Sequence, residues 1–212
     1  MTRIKFCGIT STQDAESAVD AGAWAIGLIL WPGSRRRCEP QVAAQIASAL
    51  RRRVEVVGVF VNPRLDELAR AADSIGLTML QLHGDEGPLF CAEARRRTGC
   101  KVIKAARVRS RADIQGLSVF HVDYHLLDGH APGLRGGTGE TFAWELTRAH
   151  RGKSALILSG GLNPDNVAAA IEATHAFAVD VASGVELAPG RKDPDKLEAF
   201  ALAVQSAALV AR

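Results

Sequence analysis

The stretch Ala155-Leu156-Ile157-Leu158-Ser159-Gly160-Gly161-Leu162-Asn163-Pro164-Asp165-Asn166-Val167 carries one complete change of structure. Four apolar residues, too few for a helix, stop at a Ser-Gly-Gly turn. A helix-start signal follows at once. Asn163 has the side chain of an N-cap, and Pro164 suits the first helical position, where its missing N–H would have had no partner in any case. The expected unit is strand, tight loop, helix. Repeated along a chain, that unit builds a parallel sheet whose crossovers are helices.

The unit does recur on both sides. Strand candidates run from Ile4 to Cys7, Ala25 to Leu30, Val54 to Val61, Thr78 to Leu82, Lys101 to Ala105, His125 to Leu127, Ala155 to Leu158 and Ala178 to Val181, each leading into a helix-like segment. The first helix shows the capping-box spacing Thr10-x-x-Gln13, an apolar stripe through Ala15, Ala18 and Val19, and a stop at Gly22. Eight units in 212 residues leave about 26 each, enough for one strand, one helix and two short loops. The expected fold is α/β, a single-domain (β/α)8 TIM barrel over residues 1–212. A doubly wound open sheet fits less well, because no Gly-x-Gly-x-x-Gly follows the first strand and eight units crowd a chain of this length.

Composition narrows the class. With 47% apolar and 23% charged residues, the chain reads as one soluble globular domain with a sizeable core. Met1-Thr2-Arg3-Ile4-Lys5 has no apolar leader region, and Ala23 to Pro32 falls short of the roughly 20 residues a membrane helix needs. A cytoplasmic location and no membrane partner are expected. Cys7, Cys38, Cys91 and Cys100 form no Cys-x-x-Cys pair, so neither a zinc knuckle nor a disulfide framework is indicated. The net charge of +3 is mild, but arginines cluster at 35–37, 51–53 and 95–97. The last two triplets close helical patterns, where cations complement the helix dipole. The first lies in a loop after an apolar strand and suits an anionic small molecule. No aromatic residues alternate with any triplet, so no nucleic-acid partner is expected.

A barrel places function at the C-terminal ends of its strands. Those junctions carry Cys7, then Ser34 and Arg36, Asn62, Gln81 with His83, Lys104 with Arg107, Asp128, Ser159-Gly160-Gly161, and Asp180 with Ser183-Gly184. The glycine pair after strand 7 and Ser183-Gly184 after strand 8 expose backbone N–H groups at the place where barrels bind phosphate. Gly160, Gly161, Ser183 and Gly184 are therefore the expected phosphate contacts, and a phosphate ester the expected substrate. Asp128 roots a segment reaching Glu140 that holds five glycines and reads as a lid. If Cys7 and Asp128 both point inward, they supply a base and an acid on either side of a bound molecule. His121-x-Asp123-x-His125 could put three metal-ligand types on one strand face. It falls at the start of strand 6, on the stability face, and reads as structural, so no metal site is expected there.

As an ordered set, Lys5-Phe6-Cys7-Gly8-Ile9-Thr10, Gln81-Leu82-His83-Gly84, Leu126-Leu127-Asp128, Gly136-Gly137-Thr138-Gly139, Ser159 to Val167, Asp180 to Glu186 and Gly190-Arg191-Lys192-Asp193 resemble the phosphoribosylanthranilate isomerase family nearly end to end. The resemblance implies a (β/α)8 barrel and an Amadori rearrangement of N-(5′-phosphoribosyl)anthranilate in tryptophan biosynthesis, without cofactor or metal. It implies Cys7 as general base and Asp128 as general acid. Arg36 matches the arginine that pairs with the anthranilate carboxylate, although Arg35 and Arg37 flank it and Arg35 stands where the family often has proline. Gln81, His83 and Asp180 are further expected substrate contacts, Asp180 orienting the sugar. Ala143 stands where aspartate often precedes tryptophan, and Phe6 replaces a commoner isoleucine or valine. The partner implied is the phosphosugar–anthranilate substrate, with room left for neighbouring tryptophan-pathway enzymes. The competing readings are another phosphosugar barrel, such as the histidine-pathway aminoaldose isomerase or a metal-dependent epimerase, and a catalytically silent phosphate-binding barrel. To act as a base at neutral pH, Cys7 needs surroundings that favour the thiolate, and Lys5, two residues back on the same strand face, is within plausible reach.

Overall fold

The structure, a computed structural model, describes residues 1–129 and 144–210. Eight strands, β1 (Arg3–Cys7), β2 (Ala25–Ile29), β3 (Glu55–Phe60), β4 (Met79–Leu82), β5 (Lys101–Arg107), β6 (Tyr124–Asp128), β7 (Ala155–Ser159) and β8 (Ala178–Val181), pair in chain order, and β8 returns to β1 to close the barrel. Every barrel pairing is parallel. Around it lie α1 (Thr12–Asp20), α2 (Pro40–Ala49), α3 (Leu65–Ile75), α4 (Pro88–Thr98), α5 (Arg111–Gln115), α6 (Val167–Thr174) and α7 (Pro194–Val210). Between β6 and β7 the described residues hold one 3₁₀ turn, Trp144–Ala149. The lid expected from Asp128 to Glu140 lies outside the described residues from position 130 onward, as do Gly136-Gly137-Thr138-Gly139 and Ala143.

Strand alternation sorts each side chain to one of two cores. On β1, Phe6 faces outward and meets Phe200 of α7 edge to face, with ring centroids 5.9 Å apart, while Lys5 and Cys7 turn inward. The lower interior is filled by Ala25, Val57, Met79, Ile103, Leu126 and Ile157, all buried. Beneath them Trp24, Tyr124 and Phe177 stack with centroids 5.4 to 5.5 Å apart, and the Arg3 guanidinium covers Phe177 at 4.9 Å. One end of the barrel is thus sealed by apolar packing. At the other end the inward positions are polar, and that is where a ligand can enter.

Three details differ from the sequence expectation. Ser11, not Thr10, caps α1: its hydroxyl accepts from the Asp14 N–H at 3.1 Å, while Thr10 donates to the Gly190 carbonyl. The helix expected to start at Pro164 begins at Val167 with Asn166 as N-cap. Asn163 instead closes a side-chain turn, its Oδ1 accepting from the N–H groups of Asp165 and Asn166. Finally, an antiparallel hairpin, β9 (Glu186–Ala188) and β10 (Arg191–Lys192), interrupts the path from β8 to α7. Strands of three and two residues are too short to leave a periodic signal.

Candidate active site

β1 ends with Cys7 pointing into a pocket at the C-terminal mouth. The same pocket is lined by Arg36, Gln81, His83, Asp128, Ser159, Gly160, Gly161, Asp180 and Ser183, with Ile29 and Val59 as an apolar wall. Nine of the ten residues expected from sequence are therefore brought together from six strand ends and the loops that follow them. The exception is Gly184, which does not line the pocket. A side chain there would strike the Leu162 carbonyl oxygen, so its smallness lets the loop after β8 lie against the loop after β7.

Cys7 has neighbours that the sequence only hinted at. Lys5 is fully buried and donates from Nζ to Asp180 Oδ1 at 2.7 Å, and the β1–β8 register sets these two residues side by side. Gly27, opposite Cys7 on β2, provides the space: a Cβ there would lie 2.7 Å from the Cys7 sulfur and 3.1 Å from Lys5 Nζ. The ammonium and the thiol thus crowd round one glycine. The expectation that these surroundings favour the thiolate is not met. Burial pushes the Cys7 thiol up, and although the charges of Lys5 and Lys192 pull it down, Asp180 adds to the rise and the net direction is upward. Burial alone would lower Lys5, but the adjacent Asp180 carboxylate outweighs it and holds the ammonium charged.

Asp128 sits at the end of β6, three strands round the ring from Cys7. Its Oδ2 lies 3.4 Å from His83 Nε2. Gln81 approaches the other ring nitrogen, Nε2 to Nδ1 at 2.8 Å. With the amide N–H donating there, a neutral His83 carries its proton on Nε2, facing the carboxylate. The Gln81 carbonyl oxygen, in a side chain only 1% exposed, has no hydrogen-bond partner among the described residues. A buried acceptor left in this condition is costly, and a donor entering the pocket would relieve it. Asp180 is committed more than the sequence suggested, since Oδ2 also accepts from the Ser159 hydroxyl at 3.1 Å. Each oxygen keeps a second lone pair able to accept from a further donor.

Position separates Arg36 from its neighbours. Arg37 pairs with Glu39 at 3.4 Å on the surface, whereas Arg36 lines the pocket, its Nε and Nη2 gripping Glu186 at 2.8 to 3.0 Å. Glu186 was not expected from sequence. It closes one of the motifs that carry the family resemblance, but nothing local assigns it a role, which depends on a hairpin too short to predict. The triad His121, Asp123, His125 does not converge. His121 is exposed, Asp123 accepts from the Val102 N–H, and His125 faces outward between His150 and the Phe120 carbonyl at 2.9 and 3.0 Å. Burial pushes the proton affinity of both histidines down. No group of residues able to hold a metal occurs among the described residues.

Gly160 joins the two halves of the mouth. Its φ is +99°, and a side chain would collide with the backbone of Gly129 beyond β6. Gly160→Ala is expected to lower Tm by roughly 5 °C and to raise KM more than it lowers kcat. A melt together with steady-state kinetics checks this; an unchanged KM would remove the loop from substrate binding.

The fold and the pocket together define a class: a (β/α)8-barrel enzyme with a thiol and a carboxylate facing one pocket at the C-terminal mouth. Comparison with known proteins narrows it. Residues 4–203 match the family model described as N-(5′-phosphoribosyl)anthranilate (PRA) isomerase. The N-(5′-phosphoribosyl)anthranilate isomerase of Citrifermentans bemidjiense is 46% identical over 210 residues, covering 99% of this chain and 100% of that protein. Among solved structures, the phosphoribosyl anthranilate isomerase of Thermotoga maritima superposes with a TM-score of 0.86 at 39% identity, over 97% of this chain and all of the other. Another, solved in complex with reduced 1-(o-carboxyphenylamino)-1-deoxyribulose 5-phosphate, gives 0.84 at 37% identity over the same shares. The chain belongs to the phosphoribosylanthranilate isomerase family, the isomerases of tryptophan biosynthesis. No described helix is long and apolar enough to cross a membrane.

Proposed function

We propose that Asp128 and Cys7 carry out the family's Amadori rearrangement as general acid and general base, converting N-(5′-phosphoribosyl)anthranilate to 1-(2-carboxyphenylamino)-1-deoxyribulose 5-phosphate. The observation that carries this reading is the convergence of Cys7, Asp128, Arg36 and the Gly160-Gly161 turn on one pocket. The substrate has an anion at each end, and the pocket matches both. The phosphate is taken by the backbone at Gly160, Gly161 and Ser183, supported from behind by Gly184. Arg36 takes the anthranilate carboxylate, with the aromatic ring against Ile29 and Val59. The ribose lies between, in reach of Asp180, of His83 and of the Gln81 oxygen, which has no partner among the described residues.

The steps follow from that placement. Asp128 gives its proton to the ring oxygen as the C1′–O bond breaks, and the anilino nitrogen lone pair forms the C=N bond of a cationic Schiff base. Cys7 then takes the C2′ proton, and the released electron pair neutralises the nitrogen to give an enolamine, which tautomerises to the ketone. This order accounts for a thiol whose affinity for its proton is raised by burial. The cation formed in the first step stands next to the sulfur, so the charge that favours the thiolate arises only once the ring is open. In this reading residues 1–212 form one catalytic domain working in the cytoplasm. It needs no cofactor, metal, nucleic acid or membrane, and neighbouring tryptophan-pathway enzymes are the protein partners it leaves room for.

The test is direct. The purified protein, given phosphoribosylanthranilate, is expected to consume it with the corresponding change in anthranilate fluorescence. A protein inert on this substrate but active on the histidine-pathway aminoaldose would overturn the proposal. Arg36→Ala is expected to raise KM roughly tenfold with kcat within about threefold, since the carboxylate it holds is remote from the bonds that change. The reverse pattern would assign Arg36 to the chemistry.

A further inference from the structure

Behind Arg36 lies a second polar cluster, built from Glu186 and the motif Gly190-Arg191-Lys192-Asp193. The hairpin pairs Lys192 with Glu186, and both are buried, 2% and 8% exposed. The Glu186 carboxylate accepts the fork of Arg36, the Gly190 N–H at 3.2 Å and Lys192 Nζ at 3.2 Å. Burial alone would raise the Glu186 carboxyl, but the hydrogen bonds from Arg36 and the charge of Lys192 hold it below the usual carboxylate range. Lys192 Nζ also donates to the Ala182 carbonyl at 3.0 Å, and Ala182 immediately precedes the phosphate loop at Ser183. Its backbone N–H is anchored on Asp14 at 3.0 Å. One ammonium therefore touches both the group that orients Arg36 and the strand end that carries the phosphate loop.

We propose that Glu186 and Lys192 are positioning residues: the β9–β10 hairpin is a brace that fixes the distance between the carboxylate site and the phosphate site, and so selects substrates with two anions at that spacing. A guanidinium has five N–H groups, and Glu186 occupies the Nε/Nη2 edge, so the substrate carboxylate is met by the remaining Nη1 side of a group already locked in plane. An arginine held in this way loses little conformational freedom when the substrate arrives, whereas a free one would lose much. The proposal rests on the reading that Arg36 binds the carboxylate and that the Ser183 loop binds the phosphate.

Inorganic phosphate and anthranilate, used separately as competitive inhibitors, report on the two ends. Glu186→Gln keeps the volume but gives up the charged fork; it is expected to raise KM about tenfold, to weaken anthranilate inhibition by a similar factor, and to leave kcat within about threefold and phosphate inhibition within about twofold. Lys192→Met, of similar length and equally able to fill a buried site, is expected to weaken both inhibitors, with a thermal melt confirming that the barrel is intact. A Glu186→Gln protein with KM within twofold of wild type, or one in which both inhibitors weaken equally, overturns the brace. If Arg36→Ala leaves anthranilate inhibition unchanged, the underlying assignment of Arg36 fails and the brace with it. If Arg36→Ala weakens anthranilate and Glu186→Gln does not, the brace alone fails.

Discussion

Cys7→Ser is expected to lower kcat about a thousandfold while leaving KM within about threefold, the scale on which positioned general bases act. Serine matches the thiol in shape, and the small gap at Gly27 with Lys5 beside it gives the hydroxyl a polar neighbour, so the barrel should fold unchanged. What serine lacks is an accessible anion. Its hydroxyl loses a proton far less readily than a thiol, and the burial that already pushes Cys7 up would act on serine as well. The pH dependence has a definite sign. Because the reacting form is the thiolate and burial favours the thiol, kcat/KM of the wild type should rise as pH rises through and above neutrality, without levelling off below the ordinary thiol range. Fluorescence-detected kinetics on both proteins give the two numbers and the profile. A serine enzyme with near wild-type kcat would remove Cys7 from the chemistry.

Asp128→Asn should be comparably severe, again about a thousandfold in kcat, because an amide has no proton to give to the ring oxygen. It keeps the size of the side chain and its proximity to His83 Nε2, so loss of activity would not reflect a collapsed pocket. The residual rate carries further information. If Asp128 serves ring opening and Cys7 remains competent, the variant consumes only substrate that has opened spontaneously. At high protein concentration its progress curves then stop depending on the amount of protein. Curves that stay proportional to protein concentration would place the acid step elsewhere.

Much of the site was legible because a parallel barrel converts sequence position into spatial position. Each apolar run ends at the same face, so Cys7, Gln81, Asp128, Ser159 and Asp180 could be gathered by reading only strand ends. Lys5 follows from the same logic, since it is two residues from Cys7 and strands alternate with period two. The hairpin and its carboxylate were not legible. Glu186 reaches Arg36 across 150 positions of sequence, and no local pattern encodes such a contact. Gly27 is illegible for a similar reason: in the run Ala25 to Ile29 a glycine reads as a weak strand residue, and its use as open space depends on Lys5 and Cys7 of the neighbouring strand. The close approach of Gly184 to the Leu162 carbonyl is likewise invisible in the sequence, because the two residues sit on the loops of different strands.

By itself the sequence determined the architecture and the inventory of chemical groups at the mouth, since apolar periodicity and turn chemistry are local and repeat eight times. The tertiary structure decided the electrostatics. Whether Cys7 is held as thiol or thiolate depends on burial set against Lys5, Lys192 and Asp180, a balance among groups drawn from β1, β8 and the β9–β10 hairpin. Likewise, of the three consecutive arginines it is Arg36 that lines the pocket, held by a glutamate 150 positions away that lies just beyond β8, the strand that closes the barrel against β1.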